Sequence, residues 1–138
     1  MMDTDAGMQL HHVGYVVRDL DAAAAIYSSL GFEVGEPFAI PEQHIVAVTI
    51  HAGSGWIELI QPTDPEGPIA AYMAKKGEGV HHVAFQVPDI EAKLAELKAA
   101  NIQLIDETPR SGAHGWRIAF IHPKACNGVL TELVQVSE

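Results

Sequence analysis

Two histidine pairs and two isolated carboxylates are the residues of this chain whose types and spacing could carry chemistry. The pairs are His11-His12 and His81-His82, and the carboxylates are Glu58 and Glu132. Each Glu stands in an apolar run, WIELI or VLTELV, where an ionised carboxylate is costly unless it is paired or holds a metal. Imidazole and carboxylate donors suit divalent Zn, Co, Ni, Mn or Fe, and four protein ligands leave positions open for a chelating substrate. The metal-free alternative is a buried His–Glu hydrogen-bonded pair in each half.

The two halves are copies of one another. Leu10–Val34 aligns over Val80–Leu104 at a constant offset of 70 without a gap. The identities are His11/His81, His12/His82, Val13/Val83, Val17/Val87, Asp19/Asp89, Ala22/Ala92 and Ala25/Ala95. Further on, IELIQ at Ile57–Gln61 answers TELVQ at Thr131–Gln135, which pairs Glu58 with Glu132. Internal repeats set architecture, so each half is expected to fold alike.

The elements that must position these residues follow from pattern. Leu10–Val17 and Val80–Val87 are Val-rich and aromatic with alternating character, which predicts a strand at the head of each half. Helices are expected at Leu20–Leu30 and Ile90–Ala100, capped by Asp19 and Asp89 and ended by Gly31 and Asn101. Three further strands are expected in each half: Glu33–Phe38, Ile45–His51 and Gly55–Gln61, then Gln103–Thr108, Gly115–His122 and Val129–Val136. A short helix at Ile69–Lys75 interrupts the stretch between the halves. The fold class is therefore α+β: two tandem βαβββ modules forming one curved, mostly antiparallel sheet around a cleft. The whole of 1–138 is expected to be a single domain, with module one at about 8–62, a linker at 63–79 and module two from about 80.

Strand parity chooses between the histidines. Adjacent strand residues face opposite ways, so only one imidazole of each pair can face a given site. His11 shares parity with Val13, Tyr15 and Val17, and His81 with Val83, Phe85 and Val87, the bulky sets expected beneath a helix. His12 stands with Gly14, and His82 with Ala84 and Gln86, on faces expected to leave open space. His12, Glu58, His82 and Glu132 are thus the candidate ligand set. His51 and His122, at strand ends, are read as structural or exposed.

Composition narrows the class of function. Eight Lys and Arg against eighteen Asp and Glu leave a net charge of −10, which argues against nucleic acid or an anionic membrane as a partner. No apolar run approaches the roughly 20 residues that span a bilayer. The opening MMDTDAG has two acids and no base, unlike an export signal or a transit peptide. The single cysteine, Cys126, excludes an internal disulfide and fits a reducing, cytoplasmic setting.

At these residues the chain resembles the vicinal oxygen chelate superfamily, the group of glyoxalase I, extradiol dioxygenases and fosfomycin-resistance proteins. Within it the resemblance to methylmalonyl-CoA epimerases is close and runs from about Leu10 to Gln135. It is carried by Pro41-Glu42-Gln43, IELIQP at Ile57–Pro62, GEGVHHVAF at Gly77–Phe85, LIDETPRSGAHG at Leu104–Gly115 and HPKACNGVLTELV at His122–Val134. The resemblance implies metal ligands at His12, Glu58, His82 and Glu132, for a divalent ion such as Co, Zn, Ni or Mn. It implies an acyl-CoA thioester as substrate, a homodimer, and epimerisation at C2 by proton transfer on two faces. Glu42 would be one base and Glu132 the other, so Glu132 would serve as both ligand and base.

The sequence departs from the family pattern at His44, at His114 and at Ala125-Cys126-Asn127, none of them in the proposed ligand set. Two other readings of the same residues differ in class. A glyoxalase I-type isomerase, or another enzyme on a chelating substrate, shares the metal set but not Glu42 or the HPK…GVL stretch. A metal-free drug-sequestering protein predicts drift of the ligand positions to apolar residues, and all four are intact here. An extradiol dioxygenase needs two His and one carboxylate on iron, and Glu58 is one carboxylate too many.

Overall fold

The structure, a computed structural model, describes residues 7–136. The opening residues 1–6, on which the reading of the N-terminus largely falls, lie outside that range. Strand β1 (Gln9–Val16) is followed by α1 (Leu20–Ser29), β2 (Phe38–Ile40), β3 (Ile45–Ala52), β4 (Gly55–Pro62) and α2 (Pro68–Lys76). The second half repeats this as β5 (Gly79–Gln86), α3 (Ile90–Ala99), β6 (Arg110–Ser111), β7 (Arg117–Ile121) and β8 (Leu130–Gln135). The chain divides into two compact units, His12–His81 and residues 82–136 with 7–11, so the boundary cuts β1 after His11 and β5 after His81.

Within the first unit the strands lie in the order β2-β3-β4-β1. β3 runs antiparallel to β2 and β4, and β1 runs parallel to β4. Within the second the order is β5-β8-β7-β6, with β7 antiparallel to both neighbours and β5 parallel to β8. A helix after the first strand and two antiparallel turns after it bring the fourth strand back parallel to the first. The βαβββ module of an α+β fold is present twice.

Local chemistry sets the helix limits. Asp19 Oδ1 accepts from the Ala22 amide at 3.0 Å and Asp89 Oδ1 from the Ala92 amide at 3.0 Å, the N-caps expected from sequence. Past the C-termini, Gly31 and Asn101 take positive φ of 107° and 62°, the left-handed turn that stops a helix. A second tie was not expected. Gln61 Oε1 accepts the Leu20 amide at 2.7 Å, and Gln135 Oε1 accepts the Ile90 amide at 2.8 Å. These glutamines reach from β4 and β8 to an orphan amide at the start of each helix.

Each helix covers the bulky face of its own sheet. In the first unit Val17, Leu20, Val48, Ile50 and Leu59 form the core, with Tyr15, Ala23, Ala24 and Tyr27 packed against it. In the second, Val87, Ile90, Leu94, Ala119, Ile121 and Leu133 do the same. The second strand of each module departs from expectation. Residues 33–38 carry only the Val34–Ile50 bridge before β2 begins at Phe38. Pro37 has no amide to offer a ladder there. Residues 103–108 likewise carry only the Leu104–Ile121 bridge. The amides of Ile105 and Asp106 both donate to the Phe120 carbonyl, while the Asp106 carboxylate takes the Phe120 amide at 2.8 Å. Two residues opposite one, with a side chain in the ladder, is a bulge that stops regular pairing until β6. Among the described residues no helix is long and apolar enough to cross a membrane.

Candidate metal and catalytic site

The register of the parallel pairs brings one His and one Glu together in each unit. Gly14 on β1 lies opposite Glu58 on β4, and His12 lies two residues earlier on the same face. Ala84 on β5 lies opposite Glu132 on β8, and His82 again lies two residues earlier. Because position 14 has no side chain and position 84 only a methyl, each carboxylate is free to lean diagonally toward its imidazole. His12 Nε2 and Glu58 Oε1 are 3.7 Å apart, and His82 Nε2 and Glu132 Oε1 are 3.3 Å apart. His12, His82 and Glu132 are 7%, 5% and 7% exposed. Burial of this depth makes an unpartnered carboxylate costly, so the pairing is required by the fold.

On the His82 side, Ala84, Ile118 and Val134 are buried with Trp116, Phe120 and Val136 against them, where parity alone suggested open space. Phe120 pairs with Glu132 across β7 and β8, and its ring meets the His82 ring edge-on at 6.3 Å. The Arg110 guanidinium lies 5.1 Å from the centre of the same ring and its Nε is 3.4 Å from Asp106 Oδ2. A cation over the Phe120 ring, itself paired with the Asp106 carboxylate, holds that wall in place.

The remaining histidines take other partners. His11 is buried, and its ring meets Trp116 edge-on at 4.8 Å. His81 meets Tyr72 edge-on at 4.5 Å, and burial pushes its pKa below the ordinary histidine value, which favours the neutral ring. His44 and His114 are again 70 apart, and both adopt the left-handed backbone, with φ of 57° and 60°. His44 Nδ1 is 3.5 Å from Asp64 Oδ2, whereas His114 lies 4.8 Å from Trp116. As expected, His51 is exposed at a strand end, against Trp56, and His122 caps a turn by accepting the Lys124 amide on Nδ1. Glu42 lies exposed in the tight turn Pro41–Gln43 between β2 and β3. That turn ends where Ile45 pairs with Pro62, four rungs along β3 from the Thr49–Glu58 pair.

Sequence reasoning overlooked Gln61 and Gln135, although their signal was present: both sit at the same place in IELIQ and TELVQ. Tyr72 and Trp116 had no such signal, because they come from non-equivalent elements, α2 and the turn before β7.

Comparison with known proteins places these features in company. Residues 11–120 match the family model described as Glyoxalase/Bleomycin resistance protein/Dioxygenase superfamily. The mitochondrial methylmalonyl-CoA epimerase of Bos taurus is 40% identical over 129 residues, covering 92% of this chain and 74% of that protein. The ethylmalonyl-CoA/methylmalonyl-CoA epimerase of Cereibacter sphaeroides is 40% identical over 131 residues, covering 93% and 98%. A solved structure of methylmalonyl-CoA epimerase in complex with methylmalonyl-CoA and NH4+ superposes with a TM-score of 0.86 at 35% identity, over 94% of this chain and 95% of that one.

Proposed function

The chain belongs to the glyoxalase/bleomycin resistance protein/dioxygenase superfamily and, within it, to the methylmalonyl-CoA epimerases, and from that premise we propose that it interconverts the 2R and 2S forms of methylmalonyl-CoA. The observation that carries the reading is the His–Glu pair repeated at the same register in both modules, with Glu132 buried and Glu58 part-buried. A module duplicated for stability alone has no need to set a carboxylate beside an imidazole twice, least of all one as deeply buried as Glu132.

His12, Glu58, His82 and Glu132 together hold one divalent metal in this reading, and the two modules act as one catalytic domain. Two neighbouring donors each about 2.1 Å from a common ion stand roughly 3.0–3.4 Å apart at octahedral to tetrahedral angles; His82 and Glu132 at 3.3 Å match this, and His12 and Glu58 at 3.7 Å need only a slight closure. Two imidazoles and two carboxylates suit Co, Zn, Ni or Mn. Bound there, the ion supplies Lewis acidity toward the substrate's thioester and carboxylate oxygens.

The chain's own residues move the proton. A carbon acid alpha to a thioester is weak, so a base must stand on each face of C2 to invert it. Glu132 would hold the ion and also serve as the base on one face. Glu42, on its exposed turn, serves the other. Phe120, opposite Glu132 across β7 and β8, helps to keep that carboxylate buried, which strengthens its interaction with developing charge.

Proton NMR of methylmalonyl-CoA in D2O with the purified protein tests the reading. C2–H exchange and interconversion of the two forms, abolished by chelator and restored by Co or Zn, are the expected result. An intact C2–H signal with the metallated protein would overturn the substrate assignment, and the same experiment on ethylmalonyl-CoA reads the breadth of the acyl pocket.

A further inference from the structure

The histidines that the proposed chemistry leaves aside, His11 and His81, are each gripped by an aromatic ring from outside their own strand. Tyr72 on α2 touches the two residues that precede His82: its ring meets His81 edge-on at 4.5 Å, and its hydroxyl donates to the Val80 carbonyl at 3.1 Å. Trp116 meets the ring of His11, the residue preceding His12, at 4.8 Å. Trp116 is itself held. Its amide donates to the Ala113 carbonyl at 3.1 Å, its carbonyl accepts from Gly112 at 2.8 Å, and His114 lies on the indole at 4.8 Å. The same task is therefore met twice by different residues from non-equivalent elements, whereas the histidines they grip are repeat-equivalent.

We propose that Tyr72 and Trp116 are positioning residues for the metal site, acting through His81 and His11 on the imidazoles of His82 and His12. Successive side chains on a strand leave one backbone in opposite directions, so clamping the ring at one position sets the rotation with which the next is presented. Metal ligands need that: groups beyond the ligands fix ring orientation, and their loss costs about 10–100-fold in affinity. On this account α2 is part of the site rather than a spacer between modules, and the second histidine of each pair owes its aim to the first. The proposal rests on the metal reading above.

The test is a Co(II) titration of metal-free full-length protein, following the visible absorption of the bound ion, on the parent and on Tyr72→Leu, Tyr72→Phe, His81→Phe, His81→Ala and His82→Ala. In Tyr72→Leu, the apparent Kd rises about tenfold or more and the Co(II) spectrum changes shape. Tyr72→Phe, which keeps the ring and folds even if the leucine variant does not, shows a smaller shift of the same sign. His81→Phe preserves the aromatic pair and so retains affinity, while His81→Ala loses it. Two results overturn the proposal: unchanged Co(II) affinity and spectrum in both Tyr72 variants, or His81→Phe as damaging as His82→Ala, which would make His81 a ligand in its own right. A parent protein that binds no Co(II) overturns the metal reading itself, a failure distinguishable from either.

Discussion

At the residue scale, the decisive feature is that Glu132 is asked to do two things. It is buried beside His82 with a phenylalanine on one flank, and in the proposed reaction it both ligates and transfers a proton. Glu42, exposed on its turn, has only the second task. The two carboxylates should therefore fail differently. Glu42→Gln should lower epimerisation by about 10²–10⁴-fold while leaving metal content unchanged, as read by elemental analysis beside the NMR assay. A variant with one functional base should still exchange C2–H of one substrate epimer into D2O. Glu132→Gln should lose activity and weaken the metal together. Equal metal loss in both variants would contradict this division of labour.

At the scale of elements, register does the positioning. A side chain larger than a methyl at position 14 or 84 would stand beside the carboxylate that leans past it, because both are opposite a Glu on a parallel neighbour. Gly14→Leu and Ala84→Leu should thus abolish metal binding, at an overpacking cost of about 1–3 kcal/mol; calorimetric metal titration with circular dichroism separates the two effects. The glutamine ties offer a complementary prediction on the other face of the sheet. Gln61→Ala and Gln135→Ala each leave a part-buried helix amide without its acceptor, at about 1–2 kcal/mol. That is a fall of a few degrees in thermal midpoint for a chain of this size. Because Glu58 and Gln61 lie three residues apart on β4 and face opposite ways, activity per folded molecule should be retained.

At the scale of the molecule, each module holds one paired imidazole and carboxylate, and the proposal is that both pairs serve one ion. An ion that binds the folded chain and not the unfolded one stabilises it by about 2.7 kcal/mol at a hundredfold excess over Kd. Chelation should accordingly lower the thermal midpoint of the parent and leave that of His82→Ala unmoved, which differential scanning calorimetry would show. An equal response of both proteins to chelator would place the stabilising ion elsewhere.

The sequence by itself determined the duplication, the two capped helices and the strand face that His12 shares with Glu58 and His82 with Glu132. All of these are periodic or local: a strand alternates its faces, a cap lies within one turn of what it caps, and a repeat carries its own alignment. The family followed from motifs such as IELIQP and HPKACNGVLTELV, and the comparisons agree. Tertiary structure decided the rest. The second strand of each module slid along the chain because Pro37 in one and the Asp106 side chain in the other upset the ladder that hydrophobic pattern predicts. Gln61 and Gln135 found helix amides 41 and 45 residues distant. Tyr72 and Trp116 found His81 and His11, and the face expected to be open beside His82 filled with Ile118, Val134 and Phe120. Such contacts depend on where separate elements pack, and side chains that meet only after packing leave no period for a sequence to display.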